Sequence, residues 1–335
     1  MIRRTLIGAR PGRDSRTHCA PRMLPRVSRG LLRYLLAAAS LALMPVLSAR
    51  GAAAPTAAPR TAAAPLRIVA AENFYGDIAA QLAGSGARVT SVLRNAAADP
   101  HLFEPDISTA RAVANADLVV YNGAGYDVWM ERLLAAARAP HRRVVIAASV
   151  LPPAAAGRNP HLWYAPSLVA GVARSIAAQL GELDPGRRAE YGQRLERFLA
   201  SLRPLDAQIA QLRARFAGTT VAASEPIAQY LTEAVGLVTS NARFQLAVMN
   251  GTEPSARDTA EFERSLEDRR IRVLIYNSQV SSSAVERLLA IARRSRVPVV
   301  GMTETQPPGV DYQRWMLGQI AALRRALFET APRAH

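Results

Sequence analysis

Two histidines of the chain follow proline in similar settings: His101 in DPHLFEP (99–105) and His161 in NPHLWYAP (159–166). Two glutamates also sit in loop-like segments, Glu225 in ASEPIAQYL and Glu304 in GMTETQPPG. Two imidazoles and two carboxylates make a donor set for a divalent first-row cation. Imidazole serves zinc, manganese and iron, and carboxylates move the preference toward the harder Mn²⁺ without excluding Zn²⁺. The proline before each histidine restrains the backbone and helps to fix ligand geometry. Each residue alone has a plainer reading. A loop histidine is commonly a surface or hydrogen-bonding residue. Glu225-Pro226 can start a helix, where a carboxylate suits the positive end of the dipole. Glu304 can be an exposed loop acid. The chemistry depends on the fold bringing the four together.

The elements that would do so alternate along the chain. LRIVAA (66–71), RVTSVL (88–93), DLVVYNG (117–123) and RVVIAAS (143–149) read as strands. Helical stretches at 73–84, 107–116 and 126–137 separate them. The scheme repeats with strands at 219–224, 272–277 and 297–302 and helices at 226–235, 282–294 and 311–329. Such alternation predicts an α/β fold with mostly parallel sheets flanked by helices. Between the halves, 166–183 is helical, and in 184–218 Tyr191, Leu195, Phe198, Leu202, Leu205, Ile209 and Leu212 recur at helical steps. Pro204 is a point of kinking or interruption. The expected organisation is an N-terminal lobe at 66–183, a linking helical spine at 184–217 and a C-terminal lobe at 218–335. Ligands of open parallel sheets collect beyond the carboxyl ends of strands. His101, His161, Glu225 and Glu304 all follow strands, two in each lobe.

The N-terminus reads as export machinery. RVSRGLLR (26–33) is basic, YLLAAASLALMPVLSA (34–49) is an apolar core too short to span a membrane comfortably, and small residues follow. PTAAPRTAAAP (55–65) is a linker. Residues 1–54 form the export region, with mature chain expected near residues 50–55 in the periplasm. Met23 is an alternative start. Cys19, the single cysteine, precedes the apolar core, so processing would leave a thiol-free chain suited to an oxidising compartment. The formal charge of +16 owes much to the ten arginines of residues 1–54. Beyond them 32 basic residues face 25 acidic ones, with no basic block interleaved with aromatics, which argues against nucleic acid.

Other motifs have structural readings. Ser255 and Asp258 in EPSARD form a capping box, and Glu253 reads as structural. Glu104 is a turn residue, and YNGAGYDVW (121–129) is turn chemistry. His141 and His335 read as solvated. No H-E-x-x-H, G-x-S-x-G or Walker pattern occurs.

Taken with DPHLFEPDISTARAVANADLVVYNGAGYDVWMERLL, NPHLWYAPSLVAGVARSIAAQL and VPVVGMTETQPPGVDYQRWM, the chain resembles the zinc/manganese family of periplasmic solute-binding proteins that feed metal to ABC importers. The resemblance covers nearly everything from residue 66 on. It implies two α/β lobes joined by a long helix, and one cation held between them by His101, His161, Glu225 and Glu304. The implied cargo is Mn²⁺ or Zn²⁺, with Fe²⁺ a third candidate, the implied partner is the importer's membrane permease, and the implied state is a monomer without catalysis. Two departures lean toward manganese or poor selectivity: VLPPAAAGR (150–158) replaces a long His-rich loop, and Glu225 stands where zinc members often carry histidine. Glu304 stands where the family usually carries aspartate. The competing readings are a metal-dependent hydrolase using the same donors and an adhesin-like surface protein.

Overall fold

The computed structural model describes residues 64–95, 103–151, 159–280 and 282–329. The expected export region, Cys19, His101 and His335 lie outside them. Among the described residues no helix is long and apolar enough to cross a membrane.

The first half builds β1 (Leu66–Glu72), α1 (Asn73–Ala83), β2 (Ala87–Leu93), α2 (Ile107–Ala114), β3 (Leu118–Tyr121), α3 (Val128–Ala136) and β4 (Arg143–Ile146). These strands form a parallel sheet in the order β2-β1-β3-β4. Then come α4 (Pro166–Leu183) and α5 (Arg188–Phe216). The second half adds β5 (Thr220–Ala223), α6 (Gln229–Val235), β6 (Val238–Thr239), α7 (Ala242–Met249), α8 (Ala256–Glu267), β7 (Leu274–Asn277), α9 (Ser283–Arg294), β8 (Val299–Met302) and α10 (Tyr312–Glu329). Its parallel sheet has the order β6-β5-β7-β8, the same topology as the first.

Strand alternation explains how both sheets are covered on two faces. In β1, Ile68 and Ala70 face a central core while Val69 and Ala71 face an outer one with Val113 of α2 and Met130 of α3. In the second sheet, Val221, Ala223, Ile275, Val300 and Met302 turn to the same central core, and Ala222 and Leu274 turn outward to Phe244, Phe262 and Leu288. Parallel strands buried on both faces read as continuous apolar runs, as these do. The central core is one continuous helical layer, built from α1, α4, α5, α6 and α10, shared by both sheets. The expected spine is therefore only part of what joins the halves.

Pro204 does not interrupt α5, which runs through it for 29 residues. Its missing N–H is a local loss, and burial of Leu202 and Leu205 on either side holds the helix in place. Ser255 caps α8 as its spacing predicts: its Oγ accepts from the Asp258 N–H at 3.1 Å and donates to the Asp258 carboxylate at 2.6 Å. Two elements were not expected from the pattern, the two-residue β6 and α7.

Candidate metal centre

In an order such as β6-β5-β7-β8, the connections leave the sheet in opposite directions between β5 and β7, and ligand sites form at such switch points. Glu225 follows β5, Asn277 ends β7, and Glu304 lies in the loop after β8. His161 comes from the first half, in the segment between β4 and α4. The structure gathers His161, Glu225 and Glu304: one ligand atom from each lies within 4.8 Å of the others, and all three are buried. Glu304 is fully buried, so it is no exposed loop acid. Glu225 does precede a helix, but α6 starts only at Gln229 and the carboxylate faces the cluster. His141 is exposed, as expected.

The imidazole is held in one tautomer. Asn159 Oδ1 lies 2.7 Å from His161 Nδ1 and accepts from the His161 backbone N–H at 3.0 Å. The amide cannot be turned round, because Asn159 Nδ2 donates to the Pro226 carbonyl and the Gln229 side chain. Nδ1 therefore carries the proton, and Nε2 presents a lone pair. A hydrogen bond at one ring nitrogen that leaves the other free to ligate is the usual arrangement in metal sites. Nε2 is buried and has no hydrogen-bond partner among the described residues, and Glu304 Oε1 is 3.8 Å away.

The two carboxylates are bridged by one residue. Asn277 Nδ2 donates to Glu225 Oε1 and to Glu304 Oε1, while its Oδ1 accepts from the Gln279 N–H at 3.0 Å. Gln279 Oε1 in turn accepts from the backbone N–H groups of Glu304 and Thr305. The loop after β8 is also pinned to the first half. Tyr164 donates to the Thr303 carbonyl at 2.8 Å, and Asn73 exchanges two hydrogen bonds with the Gln306 backbone. Tyr126 donates to Glu304 Oε2 at 2.6 Å. A buried imidazole lone pair facing two buried carboxylates is a nucleus of negative charge in a poorly solvating interior. A divalent cation satisfies all three groups at once.

Asn277 and Tyr126 were not singled out from the sequence. A signal existed for the first: VVYNG (119–123) and LIYNS (274–278) repeat Tyr-Asn at the ends of the equivalent strands β3 and β7. The first-half counterpart, Asn122, accepts from Tyr75 at 2.7 Å and donates to the Pro160 carbonyl at 2.8 Å, one residue before His161. Tyr126 lies in a stretch read as turn chemistry. That reading is correct for Gly123, Ala124 and Gly125, which all have left-handed backbone (φ 73°, 53° and 80°). A Cβ on Gly123 would come 2.7 Å from Ile146 Cγ2, so glycine is required there.

Beneath this turn lies a pair of buried acids. Asp127 accepts from the Asn122 and Gly123 N–H groups at 2.6 and 2.8 Å. Glu72, at the end of β1, finds no donor among the described residues, and its neighbour is Asp127. Burial, reinforced by the Asp127 charge, holds Glu72 well above the usual carboxylate range, and burial pushes Asp127 up to about 6. The pair is satisfied when Glu72 keeps its proton and donates to Asp127. Folded-state pKa values above the unfolded ones mean that the folded chain binds the extra proton. The associated stability is present below about pH 4 and is lost as pH rises through about 6 and beyond. For Asp127 alone the loss approaches ~3 kcal/mol. In Glu72→Gln the amide donates without needing a proton. The variant should match wild type near pH 5 and melt at higher temperature than wild type near pH 8, measured on metal-free protein. Parallel melting curves across that window would refute the shared-proton account.

The fold and the site together define a class: a two-sheet α/β protein with a buried His/Glu/Glu cluster, contributed by both halves, that could hold a cation. The chain belongs to the family described as zinc-uptake complex component A, periplasmic (ZnuA), whose model matches residues 68–326. It is 25% identical over 215 residues to the zinc-binding protein TroA of Treponema pallidum, covering 61% of this chain and 68% of that one. It is 28% identical over 183 residues to the manganese-binding lipoprotein MntA of Halalkalibacterium halodurans, covering 52% and 59%. The match spans about half the length of several other curated relatives. The structure of periplasmic TroA superposes with a TM-score of 0.67 at 20% identity, over 78% of this chain and 99% of that one. The solute-binding protein FpvC of Pseudomonas aeruginosa, solved with Mn²⁺, superposes at 0.66 and 24% identity, over 80% and 100%.

Proposed function

We propose that this chain captures one divalent transition-metal ion, Zn²⁺ or Mn²⁺ with Fe²⁺ as a third candidate, and delivers it to the membrane permease of an ABC importer. The ion is cargo. The observation that carries the reading is the buried Nε2 lone pair of His161, which has no hydrogen-bond partner among the described residues and faces Glu225 and Glu304. Those three residues and His101 are the proposed ligands. The DPHLFEP motif supports His101, whose position lies outside the described residues. The proposed lobes, 66–183 and 218–335, would then supply two ligands each, so that the ion ties them together. Family membership and the metal-binding relatives support the same reading.

The reading is one of binding. A hydrolase built on these donors needs an open coordination position and a positioned base. Here the donors are buried, and Asn277 and Tyr126 already engage their carboxylates. The periplasm is the proposed location, reached through the N-terminal signal. Protein isolated from a periplasmic extract without added metal tests both parts. Its intact mass should place the mature start near residues 50–55, and elemental analysis should find one first-row metal per chain. Competition between Zn²⁺ and Mn²⁺ then ranks the cargo, read against the intrinsic affinity order that favours zinc. A chain retaining residues 34–49 would refute export by cleavage, and a chain that binds no such cation would refute the function.

A further inference from the structure

The two oxygens of Glu304 have different neighbours. Oε1 accepts from Asn277 and is the one 3.8 Å from His161 Nε2, so it faces the position where the ion would sit. Oε2 accepts from the Tyr126 hydroxyl at 2.6 Å, the short length of a charge-assisted O–H···O⁻ bond. Tyr126 reaches across from the other half of the molecule, 178 residues away in sequence. It is not free to drift. The three left-handed residues before it set the path of the chain, and the Asp127 carboxylate after it clamps the Asn122 and Gly123 N–H groups. Its ring packs edge-on against the fully buried Trp163, with centroids 5.1 Å apart.

From this geometry we infer that Tyr126 restricts Glu304 to a single coordinating oxygen and so makes the site discriminate between cations by coordination number. The inference rests on the function proposed above. A carboxylate can bind a metal through one oxygen or two. Zn²⁺ is satisfied by four donors in a tetrahedron, whereas Mn²⁺ takes more oxygen donors in octahedral-like geometry. For Glu304 to supply a second oxygen, its carboxylate must turn so that Oε2 swings toward the ion, and that turn stretches or breaks the bond that holds Oε2 on Tyr126 and strips a buried hydroxyl of its acceptor. The restraint therefore disfavours cations that need the extra oxygen. It acts against the lean toward manganese that Glu225 introduces. The discrimination is set by a residue that never touches the ion.

Tyr126→Phe tests this, since it keeps the ring and its packing on Trp163 and removes only the hydroxyl. Dissociation constants for Zn²⁺ and Mn²⁺ should be measured on both proteins. The variant should gain Mn²⁺ affinity relative to Zn²⁺ by about tenfold, equivalent to ~1.4 kcal/mol. X-ray absorption of the Mn²⁺-loaded variant should show one more oxygen around the metal than in loaded wild type. A merely structural role would weaken both metals alike and leave the coordination number unchanged, and that result overturns the inference. A crystal structure of metal-loaded wild type gives an independent check without any substitution. Glu304 bound through both oxygens there would refute the inference directly. If wild type binds metal and loses it in Glu225→Ala while the Tyr126→Phe ratio stays fixed, the inference fails and the function stands. If wild type binds no first-row cation, both fail.

Discussion

His161→Ala is expected to lower metal affinity by more than about a hundredfold, beyond the tenfold to hundredfold typical when only an outer partner of a ligand is lost. The variant removes the one neutral nitrogen donor among the described ligands, and Asn159 fixes that nitrogen in its ligating tautomer. Metal bound to the folded chain stabilises it by mass action. At fixed metal concentration a hundredfold weaker site gives up ~2.7 kcal/mol of that stabilisation. The melting temperature of wild type should therefore climb with Zn²⁺ or Mn²⁺ concentration, while that of His161→Ala should hardly move. His141→Ala is the control, because His141 is exposed and distant from the cluster in role. Equal metal responses from the two variants would show that the site is misassigned. Acidification should weaken wild-type binding, since protons compete with the ion for Nε2 and the carboxylates.

Asn277→Leu should separate the metal-free and metal-loaded states. In the metal-free protein the Asn277 amide is the group that bridges Glu225 and Glu304. Replacing it with an apolar side chain leaves two buried carboxylates without that donor, a loss of about 3–5 kcal/mol by analogy with breaking a buried pair. For a chain of this size that lowers the melting temperature by roughly 10 °C. With the ion bound, the cation compensates the carboxylate charge and much of the loss should vanish. The metal-induced rise in melting temperature should accordingly be larger in Asn277→Leu than in wild type. Equal falls with and without metal would mean that Asn277 only fills space.

The strand-end rule brought His161, Glu225 and Glu304 out of the sequence because parallel sheets present their loops on one edge. The α4 boundaries were readable because Pro166 opens the helix and Asp184-Pro185 closes it. What stayed hidden depended on tertiary context. β6 is two residues long and exists only because β5 offers it a ladder. α7 has no side-chain cap to announce it. Tyr126 sits in a glycine turn whose local pattern says nothing about a carboxylate 178 positions later. Asn277 could have been found by aligning the two halves, since its Tyr-Asn pair repeats at the end of β3. Of the two outcomes open at Pro204, kinking or interruption, interruption did not occur, because packing outweighs the propensity of one residue.

The shared central layer also shapes how the chain must assemble. Phe74 near the start stacks with Trp163 and with Trp315 of α10, at centroid distances of 4.7 and 5.6 Å. The Tyr312 hydroxyl donates to the Trp163 carbonyl, and the Tyr312 backbone N–H donates to the carboxylate of Asp77, 235 residues earlier. An emerging polypeptide can pair β1 to β4 and lay α1 and α4 on their inner face early, but Phe74 and Trp163 lack their neighbours Trp315 and Tyr312 until the last helix arrives. Contacts of such sequence separation slow folding, and the waiting intermediate exposes aromatic surface that invites aggregation. Loss of α10 should therefore uncover Phe74 and Trp163, so that a truncation at the far end of the chain is felt in the half that is synthesised first.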